Sequence, residues 1–480
     1  MIGLLLILLP AVAAPIAAVS PVGTRATWIL LGVAIVNMVA TLVAVTLASA
    51  PTLYFLDGYF VLDATSTVFL LLINVLFLGI ASYVWGRVRS HPELGAGMGR
   101  FSALSLAFVT ASNLAVLANH MLVIWVCLEL TTLVAVPLVR HGGGTRALAA
   151  SWKYFLFSSV GLALALLGFA CLARSMSLSS GHDVRFFLDQ LTLVGQGPSD
   201  VWRRLGFVLI VVGYGTKLGL APMYAWLPET YDAAPPPVTA MLATVQFNAG
   251  ALALFRVLQI TGPADRALVG SALTFLGLAS MAVSSFSILA TRDYKRLIAY
   301  ASINHAGVIA VGLGVGPAAA YGVVLYVVSN AFIKAILFLT AGKVRSHYKT
   351  QDMRQVSGLI KDMPYSGLFF AIGIFALLGF PPFGSFLGEL IIMSGLVKGH
   401  QTFVFVAFCA ILTITFAATG RSVFPMIWGA PKGGDRPADQ SFFPMLPKIA
   451  FLSLLIVIGL YVPPSLSSLL QQVAASLGPR

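Results

Sequence analysis

Long apolar runs separated by short polar stretches repeat from one end of this chain to the other. An apolar run of about 17–25 residues crosses a hydrocarbon core of about 30 Å as a helix. A membrane β-barrel would give shorter segments that alternate polar and apolar, so the pattern predicts helices. About fourteen spans of the usual length are expected. They fall over approximately 2–19, 27–49, 65–85, 102–119, 121–139, 153–173, 205–225, 237–257, 267–290, 297–315, 318–342, 365–398, 402–427 and 447–466. The first twenty residues include a small-residue stretch, Ala11–Ala14, but no Lys or Arg precedes Arg25. A secretory signal opens with positive charge, so this segment is read as a retained first helix with its N-terminus outside.

Two spans are interrupted, one at Gly219-Leu220-Ala221-Pro222 and one at Gly379-Phe380-Pro381-Pro382. Proline inside a helix removes a hydrogen bond and clashes with the preceding turn. In a membrane such backbone survives only inside protein or beside water. At an offset of 160, Leu218, Gly219, Pro222, Leu227 and Glu229 match Leu378, Gly379, Pro382, Leu387 and Glu389. Paired interrupted segments point to repeats built around a transport site. The expected fold class is therefore an all-α polytopic membrane protein. It is one membrane domain over 1–480 with two inverted five-helix repeats, each holding a broken helix. N-terminal helices cover about 1–100, repeat one about 101–260, repeat two about 265–428, and a C-terminal helix about 429–480.

Composition agrees: of 480 residues, 59% are hydrophobic and 9% charged, against about 25% charged in a soluble domain. The net charge of +13 has a membrane explanation, because cytoplasmic loops collect Lys and Arg. With the N-terminus outside, inside loops hold 18 of the 29 cations and outside loops 8, among them Arg203, Arg256 and Arg266. No basic cluster with interleaved aromatics suggests nucleic acid. Cys127, Cys171 and Cys409 sit in apolar runs without CxxC or Cys/His spacing, so no cluster or zinc ligands are expected. No phosphate-binding glycine loop is present; the Gly-rich stretch His141–Gly144 lacks the spacing.

Three cations are left inside spans, Lys217, Lys334 and Arg421, together with Glu129, Glu389 and His305. A charge at the bilayer centre costs about 2.5–3.5 kcal/mol on insertion scales, so such residues are paired, hydrated and usually functional. Glu129 is expected to partner Lys217, four residues before the first proline break. At about 4 Å such a pair is worth about 4 kcal/mol at an effective dielectric near 20. Moving the carboxylate would load or release the lysine proton. His305 and Lys334 suit a relay, and Glu389, after the second break, a terminal acceptor. The structural alternatives are a static ion pair, a hydrogen-bonded core histidine and a carboxylate capping freed amides. Arg421 near a span end reads as structural. Asp57, Asp63, Glu229 and Asp232 read as exposed loop acids.

At these residues the chain resembles the proton-conducting, antiporter-like membrane subunits of respiratory complex I, shared with multisubunit sodium/proton antiporters. The resemblance covers roughly 57–430. Its most specific stretch runs Lys217-Leu-Gly-Leu-Ala-Pro-Met-Tyr-Ala-Trp-Leu-Pro-Glu, and RDYKRLIAYASINHAG and NAFIKAILFLTAGKV match two further motifs. The resemblance implies that Glu129 and Lys217 are the key ion pair, Lys334 the central relay and Glu389 the distal site. Within the family, LELTTLVAVPLV, SWKYFLFSSVGLALALLG and PPFGSFLGELII are most similar to the hydrogenase-4 component F branch, subunits of membrane-bound nickel–iron hydrogenase complexes. Two departures stand out. Asn248 lies where many members carry Lys or His, and Ser329-Asn330 where many carry Asn-His. Asparagine supports a water chain but accepts no proton.

The implied function is proton translocation in a redox-driven complex, with no cofactor bound by this chain and no redox site of its own. Partners would be other membrane and peripheral subunits, including nickel–iron hydrogenase and iron–sulfur proteins. The expected location is a bacterial or archaeal inner membrane with both termini outside. A gradient-driven Na+/H+ antiporter subunit, the membrane part of an inorganic-carbon uptake complex and a non-conducting scaffold remain alternatives.

Overall fold

The computed structural model describes residues 2–47, 52–180, 185–195, 197–431 and 441–478. Lys432, Arg436 and Arg480, three of the loop cations counted above, lie outside them. The chain opens with α1 (Ile2–Ala18) and α2 (Gly23–Leu47), then forms a small antiparallel hairpin of β1 (Leu53–Phe55) and β2 (Phe60–Leu62). This hairpin is the one feature that departs from an all-α expectation among the described residues. Helices α3 (Ala64–Ser90), α4 (Met98–Leu117), α5 (Met121–Arg140), α6 (Gly144–Ser180), α7 (Leu188–Gly195) and α8 (Val201–Leu218) follow. After a break come α9 (Trp226–Ala233) and α10 (Pro236–Met241), which runs through a π-turn at Leu242–Gln246 into α11 (Phe247–Ile260). The second half comprises α12 (Pro263–Ala290), α13 (Tyr294–Val315), α14 (Pro317–Tyr348), α15 (Leu359–Asp362), α16 (Pro364–Leu377), α17 (Gly384–Lys398) and α18 (Thr402–Trp428). Helices α19 (Leu446–Leu460) and α20 (Pro464–Ser476) close the chain.

All fourteen expected segments fall on helices, but they are not fourteen uninterrupted ones. Ten helical stretches among the described residues are long and apolar enough to cross a membrane, or eleven if α19 and α20, bent by 76°, count as one. The others are short or broken: α1 and α16 are apolar but shorter, and α8 and α17 abut the two breaks. The chain is an integral membrane protein rich in apolar helices. Its centre is α14, whose most apolar stretch is wholly buried, as is that of the α10–α11 span. Around α14 pack α13, α16, α17, α19, α20, α10 and α3.

Both breaks have the same local build. Gly219 (φ +78°) ends α8 and Gly379 (φ +69°) follows α16, in left-handed backbone that only glycine adopts without cost. The Ala221–Pro222 and Pro381–Pro382 peptides are cis. Backbone groups freed by the breaks find side-chain partners, as a membrane interior requires. Trp226 Nε1 donates to the Thr216 carbonyl (3.1 Å), the Ala221 amide to Ser280 Oγ (2.8 Å), and Ser385 Oγ to the Ala376 carbonyl (2.8 Å). A long helix from earlier in the chain packs on both sides of each break: α6 on α8 and α9, and α14 on α16 and α17.

Two of the four acids read as exposed loop residues are not exposed. Asp232, 1% accessible at its side chain, bonds Arg146 of α6 and Arg296 of α13 (2.9 Å). Lys295, also buried, donates to the Asp232 and Ala234 carbonyls at 3.0 and 2.8 Å. Asp63 caps α3 through the Ser66 amide (2.7 Å) and takes two bonds from Arg256 of α11 (2.6 and 2.9 Å). Burial pushes the Asp63 carboxyl up, but the Arg256 guanidinium and the bonds from Arg256 and Ser66 outweigh it and hold the group below its ordinary value. Arg256 and Arg203, counted as loop cations, lie in helices, and Arg203 forms a buried pair with Asp265 of α12 (2.6 Å). Such pairs tie helix ends together because an unpartnered charge there is too costly to bury. Asp57 stays exposed, and Glu229 meets Lys153 at the surface (2.6 Å). Arg421 is exposed on α18.

Candidate proton-transfer site

The charged residues expected inside the membrane gather in two clusters. The first lies between α5, α6, α8 and the π-turn. Glu129 is half-buried on α5; its Oε1 accepts from Ser159 Oγ of α6 (2.6 Å), and its Oε2 is buried without a hydrogen-bond partner among the described residues. Lys217, 1% accessible, lies in the last turn of α8 and donates to Thr132 Oγ1. The direct Glu129–Lys217 contact expected above does not form. Thr132, three residues after Glu129 and so on the same face of α5, holds the ammonium, while Glu129 acts on it electrostatically. Gly250 of α11 leaves room for the lysine stem, since a Cβ there would lie 3.0 Å from Lys217 Cβ. The Tyr154 ring centroid is 5.9 Å from Lys217 Nζ, and the Tyr154 hydroxyl donates to Gln246 Oε1 in the π-turn (2.6 Å).

The π-turn leads to Phe247 and Asn248, which separate the clusters. Asn248 Nδ2 donates to the Thr244 carbonyl (2.8 Å), and its Oδ1 is buried without a partner among the described residues. The Phe247 ring centroid sits 3.5 Å from Lys334 Nζ. Lys334 is 0% accessible and has no hydrogen-bond partner among the described residues.

The second cluster is a stripe along α14. Lys334, Asn330 and Tyr326 are spaced by four residues, about one turn or 6 Å each. His305 of α13 faces Asn330 (Nδ1–Oδ1, 2.8 Å), its Nε2 faces the Leu377 carbonyl beside the second break (3.1 Å), and its ring lies 5.5 Å from that of Tyr326. Tyr326 in turn lies within electrostatic reach of Glu389 on α17. Glu389 and His305 line one cavity of about 250 Å³ between α13, α16, α17 and α18. A Cβ on Gly379 would run into the Glu389 carboxylate. Pro222, Pro381 and Pro382 lie in the breaks themselves.

Thr132, Ser159, Tyr154, Gln246 and Tyr326 join these clusters without having been singled out in the sequence. Spacing alone would have flagged two of them: Tyr326 falls at i−8 from Lys334, and Thr132 at i+3 from Glu129. The others reach the site from separate helices.

Residues 118–415 match the family described as "NADH:quinone oxidoreductase/Mrp antiporter, TM". The chain is 29% identical over 431 residues to a hydrogenase-4 component F homolog of Methylacidiphilum infernorum, covering 85% of this chain and 86% of that one. It is 30% identical over 385 residues to NADH-quinone oxidoreductase subunit N of Desulforudis audaxviator, covering 78% and 74%. In fold it is similar to a chain of the membrane-bound sulfane sulfur reductase, an archaeal respiratory membrane complex, with a TM-score of 0.87 at 21% identity over 99% and 98% of the two chains. The protein belongs to the NADH:quinone oxidoreductase/Mrp antiporter family of antiporter-like membrane subunits.

Proposed function

We propose that this chain translocates protons as one membrane subunit of a redox-driven assembly, using Glu129, Lys217, His305, Lys334 and Glu389. The observation that carries this reading is the buried Lys217, held by the neutral Thr132 hydroxyl and biased by Glu129 through space. A carboxylate that moves toward or away from such a lysine changes its proton affinity steeply, because burial and a nearby charge act in opposite directions. A change in a partner subunit displaces Glu129. The Lys217 proton then passes by water around Asn248 to Lys334, along the α14 stripe by His305, and out through Glu389. Each elementary charge moved against 100 mV costs about 2.3 kcal/mol. This chain supplies the path and holds no cofactor; partners supply the energy.

Membership of a family whose relatives are named as components and subunits supports a multisubunit setting. Similarity to a hydrogenase-4 component F homolog favours nickel–iron hydrogenase and iron–sulfur partners. The two broken helices, each packed along both halves on one long earlier helix, α6 or α14, support two five-helix repeats. Gathering of Arg87, Arg146, Lys295 and Arg345 at one end of the bundle supports an inner membrane location with both termini outside. The test is proton flux in proteoliposomes of the intact complex. Lys217→Ala abolishes flux while the complex stays assembled. Unchanged flux would make the chain a scaffold.

A further inference from the structure

At the same end of the bundle lies a cavity of about 550 Å³ bounded by α3, the α5–α6 loop, α13 and α14. Five cations line it, Arg87, Arg146, Lys295, Arg345 and Lys349, against one carboxylate, Asp232. Arg146 and Arg296 both bond Oδ2 of that carboxylate, its Oδ1 is buried without a hydrogen-bond partner among the described residues, and Lys295 is spent on two backbone carbonyls. Arg87, Arg345 and Lys349 have no carboxylate partner among the described residues. A general excess of basic residues on one membrane face accounts for their number. It does not account for their convergence on one hole, where like charges repel unless an anion joins them.

We infer that this cavity binds a phosphate group, carried by the headgroup of an anionic phospholipid. Two further features favour a lipid. A second cavity of about 400 Å³ shares Arg87, Ser346 and Lys349 with the first, leaving room for a headgroup larger than one phosphate. At the rim, the exposed Gly142–Gly144 loop leads into α6, which presents exposed Leu148, Trp152 and Leu156 one side chain per turn. That stripe offers apolar surface for acyl chains, with an aromatic ring at interfacial depth. Basic pockets between membrane helices are a recurrent way to hold such headgroups.

The test uses the full-length chain in its complex, reconstituted in phosphatidylcholine nanodiscs with a minor fraction of phosphatidylglycerol, with retained lipid counted by native mass spectrometry. Each cation near an anionic headgroup is worth roughly fivefold in affinity, so Arg345→Gln with Lys349→Gln should lower phosphatidylglycerol retention about thirtyfold. Lys361→Gln, an exposed cation outside the cavity, should leave it unchanged. Should the double variant not fold, Arg345→Gln alone gives the same comparison at about fivefold. If the wild type shows no preference for phosphatidylglycerol yet binds inorganic phosphate in a manner lost in the variant, the phosphate chemistry stands and its source is free phosphate. Equal retention by wild type and variant, with no phosphate binding, overturns the site.

Discussion

Asn330 turns its side-chain oxygen toward Nδ1 of His305 at 2.8 Å, while Nε2 of the same ring faces the Leu377 carbonyl at 3.1 Å. A carbonyl only accepts, so Nε2 carries a proton. An oxygen on the other side suits an imidazolium, in which both ring nitrogens donate. A neutral ring needs the Asn330 amide turned over, so that its NH2 faces Nδ1. Asn330 accepts no proton itself, yet its orientation follows the protonation state of His305.

Asn330→Leu removes that response and leaves one imidazole nitrogen unpartnered in the protein interior. Proton flux in proteoliposomes of the intact complex should fall about tenfold, and stability by about 1–3 kcal/mol. Asn330→Asp fixes an acceptor against the ring and should slow flux without the loss of stability. Wild-type flux in both variants would remove His305 from the path.

Thr132→Val takes away the hydroxyl that accepts from Lys217 while keeping its shape. A buried donor left without its partner costs about 1–3 kcal/mol, which thermal unfolding would register, together with reduced flux. Thr132→Ser keeps the acceptor and should behave as wild type. If Val and Ser variants match, the threonine is packing alone.

Asp63 gives a pH signature. Its carboxyl is held below the ordinary value of 3.8 in the folded protein. The stability it contributes is therefore complete above that ordinary value and is lost as pH falls through the folded-state value. Melting temperatures of wild type and Asp63→Asn should differ near neutral pH and converge in acid. A gap that persists unchanged at low pH would mean that the charge on Asp63 contributes nothing.

Gly379→Ala places a methyl group against the Glu389 carboxylate and forces a left-handed backbone (φ +69°) on alanine. The backbone term alone costs about 1–2 kcal/mol. Unfolding should shift accordingly, and flux should drop through displaced Glu389. A variant with full stability and flux would show that the second break tolerates a Cβ.

The helices were legible as apolar runs, and the breaks at Pro222 and Pro381 and the ionisable residues inside spans because each interrupts that pattern. Lys217 and Lys334 stand out in their runs. What brings them partners was not legible. Asp232 and Asp63 sit in polar stretches beside helix ends, where an acid reads as solvated. Their burial comes from Arg146, Arg296 and Arg256, far away in the chain. The expected Glu129–Lys217 contact failed for a related reason. Two charges share a region of the bundle, but helix-face geometry decided that Thr132 stands nearest the ammonium.

Lys334 under the Phe247 ring has a consequence for the cell's energy economy. A membrane that stores a proton gradient must not let it drain through its own machinery. An aromatic lid over a lysine without hydrogen-bond partners among the described residues would be an open circuit at the middle of the proposed route. On the route proposed above, the resting chain would insulate until a partner closed the contact. Produced alone in a host membrane, this chain should leave the resting potential intact. Trimming the lid with Phe247→Ala should turn it into a leak.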